Sequence, residues 1–468
     1  MFETMTRWVG AAMLGGLLVV LPSGSKAETL SQTLVSAYEN SGLLEQNRAL
    51  LRAADEDVAA IVSELRPILN WSADMSRNFG RTRTNGVIRP ATNSDLGVAL
   101  TLDLLLYDFG RTGYRIDAAK ESVLATRQLL RNIEQQVLLR AVNAFLDVRR
   151  NGEFVQLREN NLRLLRQELR AARDRFEVGE VTRTDVAQAE ARLAEARSGL
   201  AAAQGNLQQA IEEFRAAVGR APGALQRPRN LPTLSGTVAE SRATALRNHP
   251  RIREAQHQVA ASELTIRAAD AAMKPTVSLS GRTGLREDFD SSDFSRTGSV
   301  GVNVTGPIYQ GGLLSSAKRR AMAQRDSQRG SLHEVSLGIS QDVGNAYANL
   351  RAARAVQKSS GEQVSAARVA FEGVREEAKL GARTTLDVLN AEQSLLDAQT
   401  NLISAETDVY IAAYTVLAAI GQLTVKDLNL GVQTYDPSAY YNLVKDAPVP
   451  ISPQGEKLDR VLRAIGKD

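Results

Sequence analysis

Two stretches hold the residues that could do chemistry, and they are copies of one another. The first runs Phe176-Glu177-Val178-Gly179-Glu180-Val181-Thr182-Arg183-Thr184-Asp185-Val186-Ala187-Gln188-Ala189-Glu190. The second runs Ala378-Lys379-Leu380-Gly381-Ala382-Arg383-Thr384-Thr385-Leu386-Asp387-Val388-Leu389-Asn390-Ala391-Glu392. In each, a glycine interrupts a long helical pattern, a threonine restarts it, and an aspartate falls in the new first turn. A carboxylate at such a place can cap the helix, where the dipole favours it. It can also present charge to whatever approaches, with Thr184, Arg383 and Asn390 as polar neighbours. No catalytic constellation competes with these two tips. His249 and His257 lie eight positions apart on one helical stretch, but a metal needs further ligands, and there is no cysteine to supply them. A phosphate-cradling loop and a nucleophile elbow are both missing. The chain reads as a non-enzyme that needs no cofactor or metal. Its 57 basic and 53 acidic residues are intermixed, which suits a solvated helix surface and argues against a nucleic-acid partner.

The elements that must position the tips are long. A helical pattern runs from Thr112 to Val178, with Ile116, Val123, Leu130, Val137 and Ala144 stepping by seven. At about 1.5 Å per residue such a rod spans roughly 100 Å, and a narrow apolar stripe of that length is buried by coiled-coil pairing. An Ala-rich return helix ends at Val218-Gly219. Upstream, residues 30–66 are helical, with a turn at Asn40-Ser41-Gly42 and a stop at Pro67. The whole plan then repeats. Asn248 and Pro275 follow Asn40 and Pro67 by 208 positions, while Tyr309, Gly381, Asp387 and Gly421 follow Tyr107, Gly179, Asp185 and Gly219 by 202. This spacing implies tandem duplication: a first repeat over 28–221, a connector over 222–241 and a second repeat over 242–421. The second rod is expected over 315–380 and its return helix over 384–420. Residues 422–468 read as an irregular tail.

Residues 1–27 read as a secretory leader, with Arg7 flanking the apolar run Trp8–Leu21 and Ser25-Lys26-Ala27 as the cleavage site. No later stretch has the uninterrupted apolar length of a membrane-crossing helix. Each repeat also has an alternating, strand-like pair of segments. The first hairpin is expected at about 67–107, with strands at 68–77 and 96–107 around a polar loop, 80–95. The second is expected at about 275–309, with strands at 275–286 and 298–309 around a loop containing Phe289, Asp290, Asp293 and Phe294. Tyr107 and Tyr309 are expected at strand ends beside helix starts, where they could anchor a barrel at a membrane interface. Four strands cannot close a membrane barrel alone. They form either a small soluble sheet or one share of a barrel built by several chains.

The leader, the duplicated helix–hairpin–helix plan, Tyr107-Asp108-Phe109-Gly110-Arg111 with its counterpart Tyr309-Gln310-Gly311-Gly312, and above all Gly381-Ala382-Arg383-Thr384-Thr385-Leu386-Asp387-Val388-Leu389-Asn390-Ala391 resemble the TolC family of outer-membrane efflux and type I secretion channels. The resemblance covers about 28–440. It implies a mainly α fold with a β-barrel part: a homotrimer with a shared twelve-stranded outer-membrane barrel, a twelve-helix periplasmic tunnel and an equatorial tail. It implies a pore constriction at Asp387, with Asn390 where the family often has a second Asp. Gate contacts are implied at Thr184, Asp185 and Arg383, although a Tyr of that network falls at Ala378. A periplasmic adaptor would dock at Val178, Gly179, Glu180, Leu380, Gly381 and Ala382, and an inner-membrane RND pump or ABC transporter would supply the energy. The rival reading is a soluble periplasmic coiled-coil adaptor or scaffold.

Overall fold

A computed structural model describes residues 28–464 except Ser235; the expected leader at 1–27 lies outside the described residues. The chain runs α1 (Leu30–Asn40), α2 (Gly42–Ser63), β1 (Ile68–Thr84), β2 (Val87–Tyr107), α3 (Arg111–Glu177), α4 (Arg183–Val218), then α5 (Val238–Asn248), α6 (Pro250–Ala271), β3 (Thr276–Asp288), β4 (Phe294–Thr305), α7 (Leu313–Lys379) and α8 (Thr385–Ile420). Two short helices, α9 (Ala439–Val444) and α10 (Pro453–Ala464), lie in the segment expected to be irregular. The repeats match element by element: α3 and α7 each have 67 residues, and α4 and α8 each have 36.

The rods pair because their stripes are narrow. In α3, Leu162, Leu165, Leu169 and Ala172 recur at alternating steps of three and four and close on Ala189, Leu193 and Ala196 of α4. Farther from the tips, Phe145 and Leu146 of α3, Phe214 of α4, Leu34 of α1 and Leu44 of α2 form a fully enclosed core, with Leu423 and Val425 of the tail inserted into it. Among the described residues, α8 alone has the length and mean hydropathy of a membrane-crossing helix. It holds no uninterrupted apolar run of that length, and part of its apolar surface is packed within the chain. Val409, Ala413 and Val416 pack on Ile339 and Val343 of α7, while Leu389 packs against α3 and α4.

The strands form one antiparallel sheet in the order β1-β2-β3-β4. The expected polar loop at 80–95 is instead strand. β1 and β2 run on as a ladder from Ile68↔Asp103 to Thr84↔Val87, closed by a two-residue turn in which Asn85 and Gly86 both have positive φ. Alternation fails to mark this part because it projects past β3, whose pairing with β2 starts at Asp95, so neither of its faces meets a core. Pro90 is tolerated there because β2 has no second neighbour. At the other end, β4 stops at Thr305, since Gly306-Pro307 cannot extend the ladder. Phe294 accordingly begins β4 rather than ending a loop.

Register sorts the sheet into two faces. Leu69, Trp71 and Met75 of β1 stand beside Leu102, Leu100 and Leu96 of β2, and continue through Leu279 to Val302. The other face holds Asp74, Ser76, Asp95, Arg286, Ser299 and Asn303. There the enclosed Asp95 carboxylate accepts a hydrogen bond from Ser76 (2.8 Å) and pairs with Arg286, which also faces Asp74. Trp71 and Met75 are each 75% exposed. Leaving such side chains in water forgoes about 1.5–3 kcal/mol each, so the apolar face requires lipid or a partner.

Where the two hairpins meet, the sequence places an acid in an apolar position. Glu392 of α8 is only 4% exposed. It accepts a hydrogen bond from Asn161 of α3 (2.7 Å), and its second oxygen has no partner. Burial, helped by the charge of Glu168, pushes its carboxyl up to about 7, against the pull of Asn161, Arg375 and Arg192. The raised value fixes the sign. Below the unfolded-state pKa both states hold the proton; as pH climbs from there through 7, the unfolded chain releases it first and stability falls. Replacing Glu392→Gln keeps an acceptor for Asn161 and removes the titration. Melting temperatures should coincide at about pH 3.5, below the ordinary glutamate value. At pH 8 the variant should be more stable by on the order of 1–3 kcal/mol. A difference that stays constant with pH would show that Glu392 does not titrate in the folded chain.

Candidate functional site

Both tips are built by the same backbone device. α3 ends in a Schellman motif: Gly179 has φ +80° and the Glu180 N–H donates to the Arg175 carbonyl (2.8 Å). α7 ends identically, with Gly381 at φ +77° and the Ala382 N–H on the Glu377 carbonyl (2.9 Å). A residue other than glycine would be strained at either position. Thr182 and Thr384 then cap the return helices in full capping boxes. Asp185 accepts from the Thr182 N–H (2.9 Å) and hydroxyl (2.7 Å). Asp387 accepts from the Thr384 N–H (3.0 Å) and hydroxyl (2.8 Å). These bonds hold both carboxylates below their usual range. The capping role is therefore real for both, and each uses one oxygen, Oδ2, leaving Oδ1 for other partners.

The tips present Val178, Gly179 and Glu180, and Leu380, Gly381 and Ala382, as exposed surface. Val178 is 71% and Leu380 86% exposed, so each tip ends in an apolar knob. Thr184 lies exposed in the first turn of α4. Arg383 does not pair with Asp185 inside the chain: its guanidinium bonds Glu377 (2.8 Å), a half-exposed contact within its own tip. Asn390 is exposed, and its Oδ1 accepts from Arg192 of α4 (3.1 Å), tying the second tip to the first hairpin. The sequence reading missed Arg192, Glu377 and Glu392. Glu392 had a usable signal, an acid three residues after Leu389 and four before Leu396, both buried on the same helix face.

At the sheet end of the rods, Tyr107 closes β2 and its ring meets that of Phe109, with centroids 4.7 Å apart and planes tilted by 56°. Asp108 then starts α3 by accepting from the Gly110 (3.1 Å) and Thr112 (2.7 Å) N–H groups. Tyr309 does not end a strand as expected. It lies beyond β4, exposed, in the linker to α7. Among the described residues, no cluster of His, Asp and Glu could hold a metal ion.

Comparison with known proteins agrees with this architecture. The model of the family described as "Outer membrane efflux protein" matches residues 33–220 and 242–422. The outer membrane efflux protein BepC of Brucella suis biovar 1 is 36% identical over 447 residues, covering 95% of this chain and 96% of that protein. The outer membrane protein TolC of Salmonella enteritidis is 25% identical over 452 residues, covering 92% and 87%. In fold, the Campylobacter jejuni CmeC outer membrane channel superposes with a TM-score of 0.74 at 18% identity, covering 89% of each chain. The chain thus belongs to the outer membrane efflux protein family of TolC-like channels: an outer-membrane channel protein and not an enzyme, with its helical rods forming a periplasmic tunnel.

Proposed function

We propose that three copies of the chain assemble into one duct that gives passive exit to substrates of an inner-membrane pump. The observation that carries this is the sheet: four strands with one apolar face, one polar face and both edges open, joined directly to paired rods. Three such sheets supply twelve strands, an even number that closes a barrel around the polar face and gives every edge a partner. The rods then converge as six tips. A periplasmic adaptor docks on the apolar knobs at Val178-Gly179-Glu180 and Leu380-Gly381-Ala382. Energy comes from an RND pump or an ABC transporter, and the similarity to the Brucella efflux protein favours efflux.

The tips act as the gate. Like charges crowded on a three-fold axis raise one another's pKa. The capping bonds of Asp387 work against that rise and keep a carboxylate ring ionised, which concentrates cations at the constriction. The Asn390 level adds no charge of its own, and Arg192 sits beside it. Arg383 is held by Glu377 in an exposed pair worth little, so exchanging it for Thr184 and Asp185 of a neighbouring protomer costs little. That exchange gives a two-state lock.

In planar bilayers, Asp387→Ala should reduce the cation-over-anion permeability ratio by about twofold or more, as expected for loss of a pore-lining charge ring. An unchanged ratio would remove Asp387 from the pore. Arg383→Ser should raise single-channel conductance, whereas Glu377→Gln, which frees Arg383 for the neighbour, should leave it at or below the wild-type level. Wild-type conductance in Arg383→Ser would refute the lock, and recovery of the wild-type protein as a soluble monomer would refute the duct itself.

A further inference from the structure

The β1–β2 hairpin continues past the four-stranded sheet with a composition of its own. Residues 77–93 contain Arg77, Arg81, Arg83 and Arg89 and no acidic residue. Register decides where they point. Along β1 the apolar face carries Leu69, Trp71 and Met75, and the next residues on that same face are Arg77, Phe79, Arg81 and Arg83. Arg89 pairs with Thr82 and points to the other face. The apolar belt thus passes without a break into a ladder of three guanidinium groups about 20 Å long, with Phe79, 85% exposed, between the first two. None of the three forms an ion pair among the described residues, in contrast to Arg286 on the polar face, which faces Asp74 and Asp95. At the same rim, β4 adds Arg296 to the apolar face and β3 adds one acid, Glu287.

We infer that this ladder binds the phosphate-bearing headgroups of anionic lipids in the leaflet surrounding the barrel. The inference rests on the barrel reading above, because it takes the apolar face as the lipid face. Charge complementarity and position both support it. The arginines begin one step beyond the last belt residue, at the level where hydrocarbon gives way to headgroups. A guanidinium offers the paired donors that a phosphate accepts, and basic residues at a membrane surface attract anionic lipid. Phe79 enters the interface between them and keeps the ladder against the bilayer. An acidic protein surface could not use the ladder without displacing the lipid that the adjoining belt requires.

The test uses Trp71, on the same face, as reporter in a full-length chain carrying Trp8→Phe, which leaves it as the sole tryptophan. The protein is reconstituted in phosphatidylcholine bilayers doped with brominated-chain phosphatidic acid or brominated-chain phosphatidylcholine, and quenching is compared. The unsubstituted ladder should favour phosphatidic acid about fivefold, with the preference falling at high salt. Replacing Arg77, Arg81 and Arg83 together by serine should bring the ratio to about one, whereas replacing them by lysine should keep most of it. Arg83→Gln alone, at the hairpin end, should lower the ratio in part. Equal quenching by both lipids before substitution, or a preference that survives the serine and glutamine changes in protein resistant to alkaline extraction, would overturn the ladder and leave the barrel standing. Failure of the unsubstituted chain to insert would overturn both.

Discussion

A strand edge in hydrocarbon has no water to satisfy its N–H and C=O groups, and each unsatisfied group costs several kcal/mol. The sheet ends on two such edges, β1 and β4. This constraint organises the rest of the structure. A chain with four strands cannot meet it alone, so a membrane-embedded sheet of this size demands copies of itself. The hairpins must then all enter from one side, and each strand pair must hand over to helices at the same level. Asp108 and the left-handed Gly110 and Gly312 make that handover within a few residues by starting α3 and α7 next to the ladder. The rods then start side by side, and in the proposed assembly each would have a neighbour on both sides, for which a narrow apolar stripe suffices.

The tips show what the same economy allows at the far end. Schellman motifs and capping boxes satisfy the terminal backbone groups locally, so the turns need no support from a neighbour. Such tips are rigid in themselves, and the two hairpins meet a few residues farther on, where Leu389 of α8 enters the apolar cluster of α3 and α4. The polar contacts between the hairpins, Arg192 to Asn390 and Asn161 to Glu392, flank the one turn at which Leu389 joins them through apolar packing. A buried carboxylate there also makes the contact less stable than a well-packed apolar one would be.

What could be read from the sequence follows from how each feature is encoded. The rods, their lengths and the duplication were legible because an apolar stripe and a fixed offset persist over many turns. The tips were legible because glycine and a Thr–x–x–Asp spacing have one local solution. The strands were legible only where one face is apolar. Beyond Met75 the hairpin projects past β3 and neither face meets an apolar core, the alternation stops, and residues 80–95 read as loop although Asn85-Gly86 is a strong hairpin-turn signal. The end of β4 was misplaced because Tyr309 was matched to Tyr107 by the repeat, while Gly306-Pro307, absent from the first copy, ends the ladder early. The contacts proposed for Asp185 and Arg383 across an interface leave no mark in single-chain periodicity. Within the chain these residues satisfy themselves with Thr182 and Glu377.

The duplication also shows how the two hairpins came to differ. Arg173 and Glu190 of the first hairpin correspond, 202 positions on, to Arg375 and Glu392 of the second. In the first hairpin the two bond each other across α3 and α4 (2.5 Å) and remain exposed. In the second, the same pair has separated. Arg375 reaches Glu168 of α3 (3.6 Å), and Glu392 turns in to Asn161 of α3. One intra-hairpin ion pair has become two inter-hairpin contacts. The physical consequence is the raised Glu392 carboxyl: it has an amide where Glu190 has a bonded guanidinium, in a buried place and near a second acid. The exchange ties the second hairpin to the first, at the cost of an unsatisfied carboxylate oxygen. Equal caps thus serve unequal tips, because residues about two turns beyond the cap decide whether a hairpin closes on itself or on its neighbour.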